Sequence, residues 1–106
     1  MSGFHTYFHW VDEAGEQQRL SSLNSGLRML EDMVPEREVI ALRGDGYPFQ
    51  YELTVAGLIE VYENAAQYRL RELTLQGAPV DAEARIAELR ALRPGTIIHA
   101  REWDQS

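Results

Sequence analysis

No cysteine and no lysine occur among the 106 residues. The first absence removes disulfides, a thiol nucleophile and thiolate metal sites from consideration. The second leaves arginine to supply all ten basic side chains. Its planar fork suits bidentate contacts at interfaces, although a GC-rich genome produces the same bias. No apolar run approaches the roughly 20 residues that a membrane-spanning helix requires. A basic stretch followed by an apolar segment is also missing from the N-terminus, so the expected setting is the cytoplasm, without a secretion signal. The G-x-S-x-G elbow, the Walker phosphate loop and the G-x-G-x-x-G fingerprint are all lacking. The serines fall at positions 2, 21, 22, 25 and 106, at a terminus or near an expected helix start, where capping accounts for them.

Negative charge is what the chain has in excess. Seventeen acidic residues against ten basic ones give a net charge of −7. That balance opposes direct binding to nucleic acid, which depends on Lys and Arg displacing counterions from phosphate. It equally opposes docking on an anionic membrane. It favours solubility and rapid encounter with a basic partner. With 44% hydrophobic and 25% charged residues, the chain has the composition of an ordinary globular domain and not of a disordered one. Its length corresponds to a single domain over residues 1–106.

Hydrophobic periodicity changes along the chain. In FHTYFHWV, Phe4, Thr6, Phe8 and Trp10 alternate with His5, Tyr7, His9 and Val11, the pattern of a strand. A polar turn at 12–16 and a short return over 17–20 suggest a hairpin. Leu23, Leu27, Leu30, Met33 and Val34 recur at helical spacing, with Ser21 or Ser22 as cap and Pro35 as stop. Residues 38–53 read as a second hairpin around Gly44-Asp45-Gly46. From Thr54, an N-cap, the apolar positions Val55, Leu58, Ile59, Tyr62, Ala66, Leu70 and Leu73 predict a helix running to about residue 75; residues 68–75 also alternate acceptably as a strand. Asp81 caps a last helix over 82–92, which Pro94-Gly95 stops, and residues 96–103 form a final strand. The order β(β)αββααβ implies an α+β fold, a small antiparallel sheet with two or three helices packed on one face. The first and last strands could lie side by side.

The histidines are the loudest chemical signal. On a strand, His5 and His9 share a face but lie about 13 Å apart. Two imidazole ligands of one zinc need ring nitrogens within roughly 4 Å of each other. An extended segment 4–10 therefore cannot bring these two to one ion, and a metal site would need His99 beside one of them plus a carboxylate. Glu60 and Glu63, one turn apart, fall on the polar side of their helix. Arg43-Gly44-Asp45 matches an adhesion tripeptide but reads as a hairpin tip. The aromatic face of the first strand lacks the basic groove of a stacking platform, so its rings are expected in the core.

What remains is an acidic surface in two clusters: Asp12, Glu13 and Glu16, and Glu31, Asp32, Glu36 and Glu38. They point to a non-enzymatic module, without cofactor or metal, that binds a larger, basic protein or nucleoprotein complex. An inhibitor of a nuclease or of a nucleic-acid-binding complex, of the immunity or anti-defence type, has these properties. One alternative is a structural or adaptor domain that forms a homodimer through Tyr47, Phe49 and Tyr51 or through the aromatic terminal strands. Another is a small-ligand or metal-binding protein using His5, His9 and His99.

Overall fold

A computed structural model describes residues 4–20, 22–24, 30, 32–43, 50–71 and 80–104. Five strands make one antiparallel sheet: β1 (Phe4–Val11), β2 (Gln17–Arg19), β3 (Val39–Arg43), β4 (Gln50–Thr54) and β5 (Ile97–Asp104). Their order across the sheet is β2-β1-β5-β4-β3. The first and last strands are neighbours near its middle, in register from Phe4 opposite Asp104 to His9 opposite His99. Two helices that lie wholly within the described residues, α1 (Val55–Glu63) and α2 (Ala82–Arg90), pack against each other and on one face of this sheet. The α+β class and the antiparallel pairs β1–β2 and β3–β4 agree with the alternation read from the sequence; the tip expected at Gly44-Asp45-Gly46 lies outside the described residues.

Period-two patterning sorts the sheet into two faces. Phe8 and Trp10 of β1, Tyr51 and Leu53 of β4, and Ile98 and Ala100 of β5 turn into the core. There they meet Leu58, Val61 and Tyr62 of α1 and Leu89 of α2. Phe8 packs edge-on against Tyr62 at 6.4 Å, an arrangement that matches the ring quadrupoles. His5, Tyr7 and His9 occupy the opposite face.

Both helices start on the caps that the sequence supplies. The Thr54 hydroxyl accepts from the Gly57 amide at 3.0 Å, and the Asp81 carboxylate accepts from the Ala84 amide at 3.0 Å, each satisfying one orphan donor of the first turn.

Three expectations need correction. The helix from Val55 stops at Glu63 rather than near residue 75. Asn64 ends it: its backbone and side-chain amides both donate to the Glu60 carbonyl, at 3.2 and 2.8 Å. A run of turns follows, with Arg69 at a φ of 54°, and the Leu70 amide returns to the Ala65 carbonyl at 2.9 Å. Leu70 is buried, as its place in the helical pattern implied, but a turn carries it there. Residues 72–79 lie outside the described residues. Leu23 is not helical either; it exchanges two backbone hydrogen bonds with Thr6, at 2.7 and 3.0 Å, in an isolated antiparallel bridge. Of the helix expected over 23–34, Leu30, Asp32 and Met33 are helical, while 25–29 and 31 lie outside the described residues. Finally, Glu38 belongs to a short 3-10 turn (Glu36–Glu38) that precedes β3.

The strand order bears on self-association. Tyr51 is buried on β4, which lies between β5 and β3, and β1 and β5 lie inside the sheet. None of these strands is an edge. Tyr47 and Phe49 lie outside the described residues.

Candidate functional site

Antiparallel pairing decides which chain segments share an end of the sheet. β1 and β4 finish, and β5 and β3 begin, at the same end. The tip of the first hairpin (12–16) and the turn that enters β3 (36–38) therefore project from that end, on strands three spacings apart, about 14 Å. The first acidic cluster and the Glu36–Glu38 part of the second, separate in sequence, flank one surface.

Their carboxylates have different jobs. Asp12 is engaged in its own turn: Oδ1 accepts from the amides of Ala14 and Glu16, and Oδ2 from the Gln18 side chain, all at 2.9 Å. Gln18 first, then the backbone amides, hold its carboxyl below the usual carboxylate range. Gly15, at a φ of 81°, closes the turn in a conformation that costs a side chain strain. Glu38 accepts a hydrogen bond from the Thr54 hydroxyl, so it buttresses the cap of α1. Its backbone is so close to the helix that a Cβ on Gly57 would lie 2.9 Å from the Glu38 Cβ. Glu13 meets Arg93 at 3.2 Å with both side chains about two-thirds exposed, a pairing that contributes little stability. Glu16, Asp32 and Glu36 are exposed. Glu31 lies outside the described residues.

Apolar side chains appear among these charges. Val11, Ile40 and Ile97 are 59%, 48% and 43% exposed, and all three sit where β1 ends or where β3 and β5 begin. Ile40 is turned out by a register shift between Val39 and Ala41, the effect of a β-bulge. Two clefts, of about 330 and 370 Å³, open on either side of the loop Arg93–Thr96. One is bounded by Trp10 and Glu13, the other by Ile40 and Val55. An exposed aliphatic centre with an acidic rim has the anatomy of a protein-binding surface. Sequence reasoning found the rim and missed the centre, although the alternation already put Val11 on the outward face.

The second cluster lies on the face away from the helices. The registers align Arg19, His9, His99 and Glu52 in one row across β2, β1, β5 and β4. His9 and His99 stack with centroids 5.1 Å apart and planes within 16° of parallel. His99 Nδ1 lies 3.7 Å from Glu52 Oε1. The Arg19 guanidinium covers the Tyr7 ring at 4.7 Å, so Tyr7 is buried despite facing outward. Burial, then His99, Arg101 and Arg19 in that order, push the His9 imidazole below its ordinary pKa.

Comparison with known proteins finds no matching family model, no matching curated protein and no matching solved structure.

The His99-plus-carboxylate neighbourhood that a metal site would need is present beside His9. Its arrangement does not suit a metal, because an ion bound by two imidazoles must lie near the plane of each ring, and stacked rings share no such point. Among the described residues no group of three His, Asp or Glu side chains converges as a metal-ligand set. His5 lies further along extended β1, opposite Trp103. No helix among the described residues is long and apolar enough to cross a membrane.

Proposed function

We propose that this protein is a non-enzymatic, cytoplasmic binding module that offers the acidic end of its sheet to a basic protein or nucleoprotein complex. The observation that carries this reading is that the first acidic cluster and Glu36–Glu38 of the second lie, with exposed Val11, Ile40 and Ile97, at one end of the sheet. Glu13, Glu16 and Glu36 steer encounter through their charge. The aliphatic side chains supply the area whose desolvation holds the complex together. Carboxylates carried on strands about 14 Å apart can occupy positions that a partner built for phosphates, which is how an inhibitor of a nuclease or nucleic-acid-binding complex would act. Glu38 and Asp12 support the surface by fixing the cap of α1 and the hairpin tip.

The test starts from a partner captured on the immobilised protein from host lysate and identified by mass spectrometry. Affinity for the purified partner is then measured at about 50 and 200 mM salt, where screening of exposed charges differs strongly. The expected result is marked weakening at the higher salt, a slower on-rate for the Glu13→Gln/Glu16→Gln/Glu36→Gln variant, and competition by nucleic acid. Affinity indifferent to both salt and the three substitutions would remove this reading.

A further inference from the structure

The row Arg19–His9–His99, with Arg101 beside it, concentrates cationic and protonatable groups on one face of a protein that is otherwise strongly acidic. Arg101 stands opposite Tyr7 on β1 and opposite Gln50 on β4, so it flanks the imidazole pair from the next row. Neighbouring strands are about 4.8 Å apart; Arg19, His9 and His99 therefore span about 10 Å across three strands, a width an oxyanion with its hydrogen-bonding donors can bridge.

We propose that this open face binds a phosphate-type oxyanion between Arg19 of β2, His9 of β1, and His99 and Arg101 of β5. Arginine presents paired N–H donors matched to the oxygens of such a group, and a phosphate monoester brings about −1.5 to −2 charges at neutral pH. The local field is already positive: three of the four influences that lower the His9 pKa are His99, Arg101 and Arg19. An anion placed among them relieves that repulsion and favours protonated His9. The groups that bear on His9 are Arg19 from β2, Tyr7 from its own strand, and His99 and Arg101 from β5. Glu52 lies one strand further, where its carboxylate faces His99. Binding of the anion and uptake of a proton at His9 are therefore coupled, each favouring the other. The inference stands apart from the binding role of the sheet end, since the two surfaces share none of these residues.

The probe is inorganic sulfate, whose charge is constant over the working pH range, with inorganic phosphate as a second arm. Imidazole resonances of the full chain are followed by NMR while each anion is titrated at about pH 7.5 and about pH 5.5, either side of the ordinary histidine pKa. The expected result is saturable binding, tighter at the lower pH, with the His9 titration moved upward when the anion is present. Arg19→Gln and His9→Gln should each weaken binding about tenfold, as expected for the loss of one charge-assisted contact. Arg90→Gln, on the helix across the sheet, should leave it unchanged. A response that never saturates, or one of equal size in all three variants, would overturn the proposal, as general ionic screening accounts for either.

Discussion

His9 and His99 stack face to face across the β1–β5 pair, with centroids 5.1 Å apart. This places two titratable rings directly opposite one another on neighbouring strands, with Arg19 on one side and Glu52 on the other. The contact ties the stability of the sheet to pH. Burial first, then His99 and the two arginines, keep the folded pKa of His9 below 6.5. The unfolded chain therefore takes up this proton at a higher pH than the folded protein does. Stability linked to His9 is complete above about pH 6.5 and is lost as pH falls toward the folded pKa. Chemical denaturation across this range should show a declining midpoint in acid, with a shallower decline for His9→Gln. Identical pH profiles for the two proteins would refute the linkage.

The adjacent isoleucines of β5 should behave oppositely. Ile98 is fully buried against the helices, whereas Ile97 is 43% exposed. Truncation of Ile98 to Ala should cost about 2–5 kcal/mol through lost burial and the cavity left behind. At Ile97 the same change should cost less than about 1 kcal/mol. Urea denaturation curves of the two variants give the comparison directly; comparable losses would mean that the face assignment of β5 is wrong.

Gly57 of α1 sits against the Glu38 side chain. Alanine there gains about 1 kcal/mol in helix propensity. Its Cβ would, however, approach the Glu38 Cβ to 2.9 Å, and the atom it meets is anchored next to the backbone of the 3-10 turn. Net destabilisation of about 1–3 kcal/mol is expected, the range for overpacking. A thermal midpoint at or above that of the parent protein would contradict the close approach.

Thr54 joins two elements. Its hydroxyl accepts from the Gly57 amide and donates to Glu38. Thr54→Ala should lose about 0.5–2 kcal/mol from the cap and also leave the Glu38 carboxylate without that donor. Thr54→Ser keeps both contacts and should recover most of the loss. If serine and alanine destabilise equally, the hydroxyl is not what matters.

Asp12 should control the first hairpin. Without its carboxylate the amides of Ala14 and Glu16 lose their acceptor. Asp12→Ala should speed hydrogen exchange at these two amides and at the β1–β2 pairs next to them, with β4 and β5 unaffected. Unchanged exchange at the tip would show that the turn holds itself.

Much of this architecture was legible because its causes are local. Alternating apolar residues put Phe8 and Trp10 inside and His5 and His9 outside, and no long-range information was needed. The caps at Thr54 and Asp81 followed from side chains that satisfy the first-turn amides. The end of α1 was not legible. Leu70 satisfies both the helical period and the turn that actually buries it, and burial alone does not distinguish the two paths; Ala66, which the period placed inside, is exposed, and Ala65 is buried instead. Only the Asn64 side chain, bonded back to Glu60, signals the stop. Leu23 was misread for a similar reason, since an apolar residue at helical spacing serves equally as a bridge partner of Thr6.

The sequence by itself determined the fold class, the two faces of β1 and the excess of negative charge, all properties of neighbouring residues or of composition. Tertiary structure alone decided which distant residues meet. Antiparallel pairing brought residues 12–16 and 36–38 to one end of the sheet, and it set His9 opposite His99 across 90 residues of chain. The physical reason is that strand order and register minimise the energy of the whole packed sheet, and no local pattern encodes which partner a strand will find.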